Sequence, residues 1–519
     1  MHDPVSVAGK TLHVAERTDV LVVGAGPAGI AAALEAASLG RSVVLVDENP
    51  VTFETMGQDV PLHFGGRAGG AARNRTAMME ALVESEPALA EAFEAGIDVR
   101  LGTAVIGLYA NGAGVGWMPG RVALLMDEAG TRLLGFDAAI VATGARDMGL
   151  AFPGWDRPGV MGAAAAWRLA ARYGAFEGRR AVIVGTTAEA LRAAQALAAA
   201  GATVAAFVEQ GPEPVVPLGS VEAAVMTGSL VLAAEGDAEG VTAVCVGPAG
   251  TQGERVACDT VVLAIAAVPV IELLDAVGCR IAFDAERGGH VPTLDAAATG
   301  LPGFFAAGDC AGTWPGKTLD PDIARAEGRR AGRAAAGQGE AAAPPAPSGF
   351  DAAAYRAAWI RAGLAALPRG EEPHVCQCEE VTAREILEVR PPRYLGAEGR
   401  PRNDRSLATL LGAGPPNPDQ VKRLTRAGMG ACQGRRCREQ VACLLALGAG
   451  VDLSAVPLAG YRAPVRPISL ALAADAAEPE AMGAHWDTWF GIPEQYKPAW
   501  ALQPHYTAAT RDRGVAASE

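Results

Sequence analysis

Thr18-Asp19-Val20-Leu21-Val22-Val23-Gly24-Ala25-Gly26-Pro27-Ala28-Gly29 is an apolar run that ends in a glycine turn, and the fold follows from it. The four apolar residues after Asp19 suit a strand buried on both faces. Residues 30–39 continue as helix formers, Gly40 caps them, and residues 42–46 make a second apolar strand closed by Asp47-Glu48. That is a complete βαβ unit. Gly24 permits the tight turn, Gly26 lets the backbone approach a pyrophosphate, and Gly29 allows close helix–strand packing, while the helix N-terminus favours negative charge. Asp47, ending the second strand, is placed to accept hydrogen bonds from a ribose diol.

Pro27 and the Asp47-Glu48 ending resemble the FAD branch of such units rather than the nicotinamide branch. The expected cofactor residues here are therefore Gly24, Gly26, Pro27, Ala28, Gly29, Asp47 and Glu48. Gly65-Gly66-Arg67 and Gly69-Gly70 are loop chemistry of the kind flavoproteins place near the isoalloxazine ring. The run 138–141 delivers Ala142-Thr143-Gly144-Ala145, which resembles the flavoprotein ATG motif and adds Thr143 and Gly144. The strand that ends in Gly308-Asp309 resembles the second FAD signature. There the aspartate contacts the ribityl and pyrophosphate region, and the next helix, about 323–333, points its N-terminus at the flavin. Cys310 reads as a small buried residue.

A second unit of the same layout begins at Arg180-Ala181-Val182-Ile183-Val184-Gly185 and turns through Thr186-Thr187-Ala188-Glu189-Ala190. Its helix, its cap at Gly201 and its strand 203–208 ending at Glu209 repeat the first unit, but the glycines do not repeat. Thr187 stands where the backbone must approach a pyrophosphate, and a β-branched side chain there should crowd the ligand. Glu189 would add negative charge beside the phosphates. The reading is a nucleotide-type domain that has lost its dinucleotide, with NAD(P) not expected.

With 58 acidic against 44 basic side chains, the formal charge is −14, which repels nucleic acid and anionic membrane surfaces. The nine cysteines begin only at Cys245 and are not spaced as a secreted disulfide framework, so a cytoplasmic setting is expected. Neither an export signal nor a run of about 18 apolar residues is legible, so no transmembrane segment is expected.

Four cysteines stand apart from the scatter, in Val375-Cys376-Gln377-Cys378-Glu379-Glu380 and Gly430-Ala431-Cys432-Gln433-Gly434-Arg435-Arg436-Cys437. Thiolates are soft donors for zinc, copper(I) or iron–sulfur centres, and Cys376, Cys378, Cys432 and Cys437 are the expected metal ligands. Spacing alone leaves zinc and iron–sulfur about level. Two FAD signatures on the same chain favour a [2Fe–2S] cluster. Lys422, Arg423, Arg426, Arg435, Arg436 and Arg438 would offset its negative charge. His374 reads as a surface histidine and Cys443 as a buried small residue.

The runs 375–382 and 422–437 resemble the [2Fe–2S] domain related to bacterioferritin-associated ferredoxin. Preceded by a split FAD domain with an insertion, this order resembles the FAD-containing A (alpha) subunits of heteromeric amino-acid and opine dehydrogenases. That group includes opine oxidases, hydroxyproline and proline dehydrogenases, the hydrogen cyanide synthase B subunit and, more distantly, the alpha subunit of sarcosine oxidase. The resemblance spans roughly residues 18–450. It implies an α/β fold, a flavoprotein with two dinucleotide-binding domains plus a small, mostly helical [2Fe–2S] domain and a C-terminal tail.

The boundaries implied are 1–150 and 291–340 for the two parts of the FAD domain, 151–290 for the inserted NAD(P)-type domain, 341–372 for a linker, 373–450 for the cluster domain and 451–519 for the tail. The implied function is an electron-transfer subunit in amino-acid or opine C–N oxidation. Its partners would be a D-amino-acid-oxidase-like flavin subunit, a downstream acceptor and a small ferredoxin-like subunit, with FMN at a subunit interface as a further option. No catalytic residue is expected here, because no nucleophile–base set or free carboxylate pair is legible. A self-sufficient NAD(P)H-dependent reductase and a structural scaffold holding zinc or a cluster are the alternatives. The chain departs from the family pattern in the second glycine motif, in the Pro/Gly-rich segment 391–418, and in the tail aromatics Trp486, Trp489, Phe490, Tyr496, Trp500 and Tyr506.

Overall fold

A computed structural model of the chain describes residues 14–50, 74–110, 120–339, 349–367, 372–390 and 406–474. The glycine loops at 65–70, most of the linker, much of 391–418 and the tail aromatics lie outside the described residues. By contacts the chain divides into two units, Met1–Pro467 and Ile468–Glu519. The second unit's described part holds one short helix, Leu470–Ala474.

The opening strand β1 (Glu16–Val23) is buried throughout its last four residues. It runs parallel between β2 (Val43–Asp47) and β6 (Gly130–Val141). With β3 (Asp98–Leu101), β4 (Ala104–Tyr109) and β5 (Val122–Asp127) the sheet order is β3-β2-β1-β6-β5-β4, and the strand Phe304–Ala306 adds in parallel beside β6. Register pairs Val23 with both Val46 and Val141, and Val141 with Ala306. The carboxyl ends of four parallel strands therefore meet at one edge, where open α/β sheets bind ligands.

The helix α1 (Pro27–Ser38) covers one face of this sheet and packs on the helix Pro321–Ala335. Glycines make that approach possible: a Cβ on Gly328 or Gly332 would run into the carbonyl oxygen of Ala28 or Ala32. A Cβ on Gly29 would strike the Gly24 carbonyl, which fits the packing role read for that glycine.

The insertion forms its own parallel sheet, ordered Ala224–Met226, Thr203–Val208, Arg180–Val184, Thr260–Leu263, Val160–Gly162. An antiparallel layer of Leu230–Asp237, Gly240–Gly247 and Glu254–Ala257 lies beyond it. The helix Ala352–Ala366 then leads to the four-cysteine segment, a small hairpin (His374–Cys376 with Val381–Thr382) and four helices: Ala383–Leu387, Leu407–Ala413, Pro418–Thr425 and Arg438–Ala449.

This segment is not a separate bead. One continuous apolar cluster runs from Val182 and Trp155 through Trp359 to Val375, Val441 and Leu444, and Trp155 Nε1 donates to the His374 carbonyl at 2.9 Å. Residues 456–467, which carried little signal as sequence, form a strap back to the first domain. Tyr461 N donates to Asp275 at 3.0 Å, and Val465 N to the Ile106 carbonyl at 2.8 Å.

Candidate functional site

A cavity of about 640 Å³ opens at the carboxyl edge of the first sheet. It brings together every FAD residue read from the sequence except the packing glycine Gly29: Gly24, Gly26, Pro27, Ala28, Asp47, Glu48, Thr143, Gly144, Gly308 and Asp309 all line it. Gly24 has φ +106°, and a Cβ there would strike the Ala142 carbonyl. At Gly26 a Cβ would meet nothing within 4 Å, so the turn presents bare backbone to open space. That is the cradle a pyrophosphate needs.

Asp47 braces this turn. One carboxylate oxygen accepts the Ala25 amide at 2.5 Å and the other accepts Asn49 N and Nδ2 at 2.7 and 2.8 Å. Glu48 is held differently, by a two-pronged pair with Arg466 of the strap at 2.7 and 3.1 Å. Burial pushes its carboxyl upward, but the Arg466 charge and hydrogen bonds outweigh that and hold it down at about 2. On the far wall, Gly308 N donates to Glu327 at 2.8 Å. Lys317, itself buried, donates to the Gly308 carbonyl at 3.1 Å and to Glu327 at 2.9 Å, and lies over the Trp314 ring. Burial raises the Glu327 carboxyl, with Lys317 opposing.

Arg466, Lys317 and Glu327 were not found by sequence reasoning. Lys317 left one faint signal, as one of four lysines in the chain. The partners of Arg466 and Glu327 are too far off in sequence to be read.

The four thiols of the second motif come together. Cys376 and Cys378 sulfurs are 3.9 Å apart, Cys378 and Cys432 sulfurs 3.7 Å, and Cys437 is in hydrogen-bonding contact with Cys376. These spacings match the roughly 3.8 Å between donors of a tetrahedral centre with metal–sulfur bonds of about 2.3 Å. The sulfurs form a run of neighbours, and no group of three or more His, Cys, Asp or Glu donors among the described residues converges closely enough to be a ready-made metal site. Gly428 N donates to the Cys376 sulfur at 3.3 Å. Gly430 is without a side chain where a Cβ would press on Cys378. Three of the thiols are buried and Cys378 is exposed. Its bond to Cys378 and its burial push the Cys432 thiol well up, so holding these groups as thiolates calls for a cation.

The cavity and the thiols are joined by a buried polar chain. Arg146 pairs with Glu272 on the cavity wall, with Glu439 at 2.7 Å and with the Tyr461 hydroxyl at 3.2 Å, and its Nε donates to the Arg435 carbonyl at 2.9 Å. Burial opposes the Arg146 charge, but Glu272 and Glu439 more than offset it. A narrower chamber of about 120 Å³, lined by Thr143, Arg146, Arg435, Arg436 and Arg466, borders the cavity. Arg436 lies in that wall and within electrostatic reach of all four thiols.

Residues 18–339 match the sequence profile described as "Pyridine nucleotide-disulphide oxidoreductase", the stretch that builds the cavity and the insertion. The chain belongs to the pyridine nucleotide-disulphide oxidoreductase family. It is an FAD-dependent oxidoreductase. Curated relatives of this family member include the A (first-named) component of opine oxidase from Agrobacterium tumefaciens (strain Ach5), 29% identical over 490 residues, 87% of this chain and 90% of the relative. The alpha subunit of sarcosine oxidase from Rhizobium meliloti (strain 1021) is 30% identical over 302 residues, 57% of this chain and 28% of the relative. Among solved structures, the L-proline dehydrogenase from P. horikoshii is similar in fold, with TM-score 0.59, 20% identity, and coverage of 89% of this chain and 80% of that one.

In this pyridine nucleotide-disulphide oxidoreductase chain the second βαβ unit differs from its sequence reading in detail. Thr187 is fully buried and faces inward: its hydroxyl donates to the Ala264 carbonyl at 3.0 Å and caps the helix through Ala190 N. Glu189 turns away from the expected phosphate position and lines the flavin cavity, accepting from Thr318 at 3.2 Å. All nine cysteines are free thiols.

Proposed function

We propose that this chain is the electron-transfer subunit, carrying FAD and one [2Fe–2S] cluster, of a heteromeric dehydrogenase or oxidase that oxidises an amino acid or opine-like secondary amine at its C–N bond. The observation that carries this reading is the flavin cavity joined through Arg146 and Arg436 to four thiols at metal-ligand spacing. The opine oxidase relative, aligned over 87% of this chain, is named as one subunit of its enzyme, which supports a multi-subunit setting. Electrons would come from a partner flavin subunit of the D-amino-acid-oxidase type, with FMN at the interface and, in the same assembly, a small ferredoxin-like subunit.

Bound FAD would supply two-electron exchange and the cluster one-electron exchange. The residues of this chain do the holding. The Gly24–Gly26 turn and the α1 N-terminus would take the pyrophosphate, and Cys376, Cys378, Cys432 and Cys437 would ligate the cluster. Arg436 and the amide of Gly428 would offset its negative charge. A reading as a zinc-holding scaffold uses the same four thiols.

Anaerobic purification of the full chain tests these readings against each other. The expected result is flavin absorbance plus iron-dependent bands that bleach with dithionite, with an iron content of one cluster per chain. A protein with stoichiometric zinc and no iron bands refutes the cluster. Co-purification with a second flavin subunit, and flavin reduction by an amine substrate only in that complex, tests the rest.

A further inference from the structure

The two βαβ units superpose in their hydrogen bonding, which makes their differences informative. Gly24 N donates to Val46 O at 2.7 Å, and Gly185 N to Val208 O at 2.7 Å. Ala142 N donates to Val23 O at 2.8 Å, and Ala264 N to Val184 O at 2.7 Å. Gly26 and Thr187 are the N-caps of the two helices, and Gly24 and Gly185 both have φ near +100°. By this equivalence Glu209 stands where Asp47 stands, at the end of the second strand, the position from which an acid accepts the ribose diol of a dinucleotide.

Around the first unit there is a cavity. Around the second there is protein. Thr186 and Thr187 are 0% exposed and Glu209 is 1% exposed. One oxygen of Glu209 accepts two hydroxyls, from Tyr355 at 2.6 Å and from Thr186 at 2.5 Å, while the other accepts Gly211 N. The Tyr355 hydroxyl also accepts the amide of Thr186, in the turn that would otherwise face a ligand, at 3.3 Å. Tyr355 lies on the helix Ala352–Ala366, which is fixed by Arg356 to the carbonyls of Ala267 (2.9 Å) and Gly288 (2.6 Å) and by the buried Trp359. The Val215 amide donates to the Thr186 hydroxyl from a loop on the other side.

We infer that Tyr355 is the specificity-determining residue that closes the second dinucleotide site to nicotinamide nucleotides, its phenol and the Thr186 hydroxyl standing in for the ribose diol on Glu209. The site has become the socket of the helix that leads to the cysteine segment. Burial and the Glu209 carboxylate push the Tyr355 phenol well above its ordinary value, so it stays a donor across the working pH range. The electron donor is thereby chosen: a chain whose ribose acceptor is already satisfied gains nothing by binding NAD(P)H, because the exchange of hydroxyls is even and the helix must also be displaced. This inference rests on the proposed role as acceptor from a partner subunit.

The test is ADP-ribose binding to the flavin-loaded full chain by calorimetry, together with anaerobic flavin reduction by NADH and NADPH. Wild type is expected to show no binding up to millimolar ADP-ribose and no reduction. Tyr355→Ala, with flavin content and circular dichroism unchanged, is expected to bind at least tenfold more tightly than the wild-type limit, and Glu209→Gln added to it should remove the gain. A folded Tyr355→Ala that binds no better than wild type overturns the inference.

If Tyr355→Ala does not fold, Tyr355→Phe keeps the ring against Phe350 and Trp359 and removes only the hydroxyl. The Thr186 amide should then exchange at least tenfold faster, and unchanged protection overturns the latch. ADP-ribose binding to wild type without flavin reduction sinks the latch alone. Rapid reduction of wild type by NADH sinks both the latch and the partner-subunit reading, and missing iron sinks only the cluster.

Discussion

Gly26 and Gly29 lie three residues apart in one turn, and the structure assigns them opposite failures on substitution to alanine. At Gly26 the backbone is extended (φ −81°, ψ −179°), a conformation open to any residue, and the new methyl would meet no protein atom within 4 Å. Loss of glycine at a helix N-cap costs up to about 1 kcal/mol, and the stiffer unfolded chain returns about 0.4–1 kcal/mol, so flavin-free stability should stay within about 0.5 kcal/mol. The methyl would instead occupy the space a pyrophosphate must enter. Displacing the phosphates from one amide forfeits a charge-assisted hydrogen bond of about 1.5–3 kcal/mol, or roughly a 10- to 150-fold rise in the flavin Kd.

At Gly29 the methyl would strike the Gly24 carbonyl and come 3.4 Å from Ala142 Cβ. Overpacking of about 1–3 kcal/mol in a buried helix, partly offset by about 1 kcal/mol of helix propensity, should lower stability with or without flavin. Thermal unfolding of flavin-stripped protein and fluorescence titration with FAD separate the two effects. A Gly26→Ala protein that binds FAD with the wild-type Kd would refute the assignment of that turn to the pyrophosphate.

Three further outcomes are expected. Arg146→Leu strands Glu272 and Glu439, whose side chains are 2% and 10% exposed, and should destabilise the chain by about 3–5 kcal/mol, read as a fall in Tm and in denaturant midpoint; an unchanged midpoint would show that the polar chain carries no stability. The Glu48 carboxyl sits at about 2 against an ordinary 4.5, so its pair with Arg466 stabilises the fold fully above about pH 4.5 and loses that contribution as pH falls toward 2. Arg466→Met should cost about 1–3 kcal/mol at neutral pH and flatten the acid limb of the stability profile, and an unaltered limb counts against the pairing. Cys378→Ser should abolish metal-dependent absorbance while Cys443→Ser leaves it intact, because Cys443 is buried on the Arg438–Ala449 helix away from the run of thiols; equal loss in both would contradict the ligand set.

The parts legible in the residue string are those governed by short-range rules. The strand 18–23, its glycine turn and the helix after it follow from apolar periodicity and from glycine's tolerance of φ near +106°, both local properties. The convergence of Cys376 and Cys378 with Cys432, 54 residues on from Cys378, is readable because thiol spacing of that kind has few uses besides a metal. The inserted domain's altered turn is visible too, although Thr187 faces inward onto the Ala264 carbonyl instead of crowding a ligand.

Tertiary packing alone settled the partners of the charged and hydroxylic groups. Arg466 reaches Glu48 across 418 positions, Arg146 reaches Glu439 across 293, and Tyr355 reaches Glu209 across 146. Asp47 and Glu209 end equivalent strands and carry the same carboxylate, yet one borders a cavity and the other is sealed under a tyrosine. Periodicity and propensity describe a residue's own neighbourhood. Which distant side chain arrives to satisfy a buried carboxylate depends on how whole elements pack, and that geometry made one dinucleotide unit a flavin site and the other a socket.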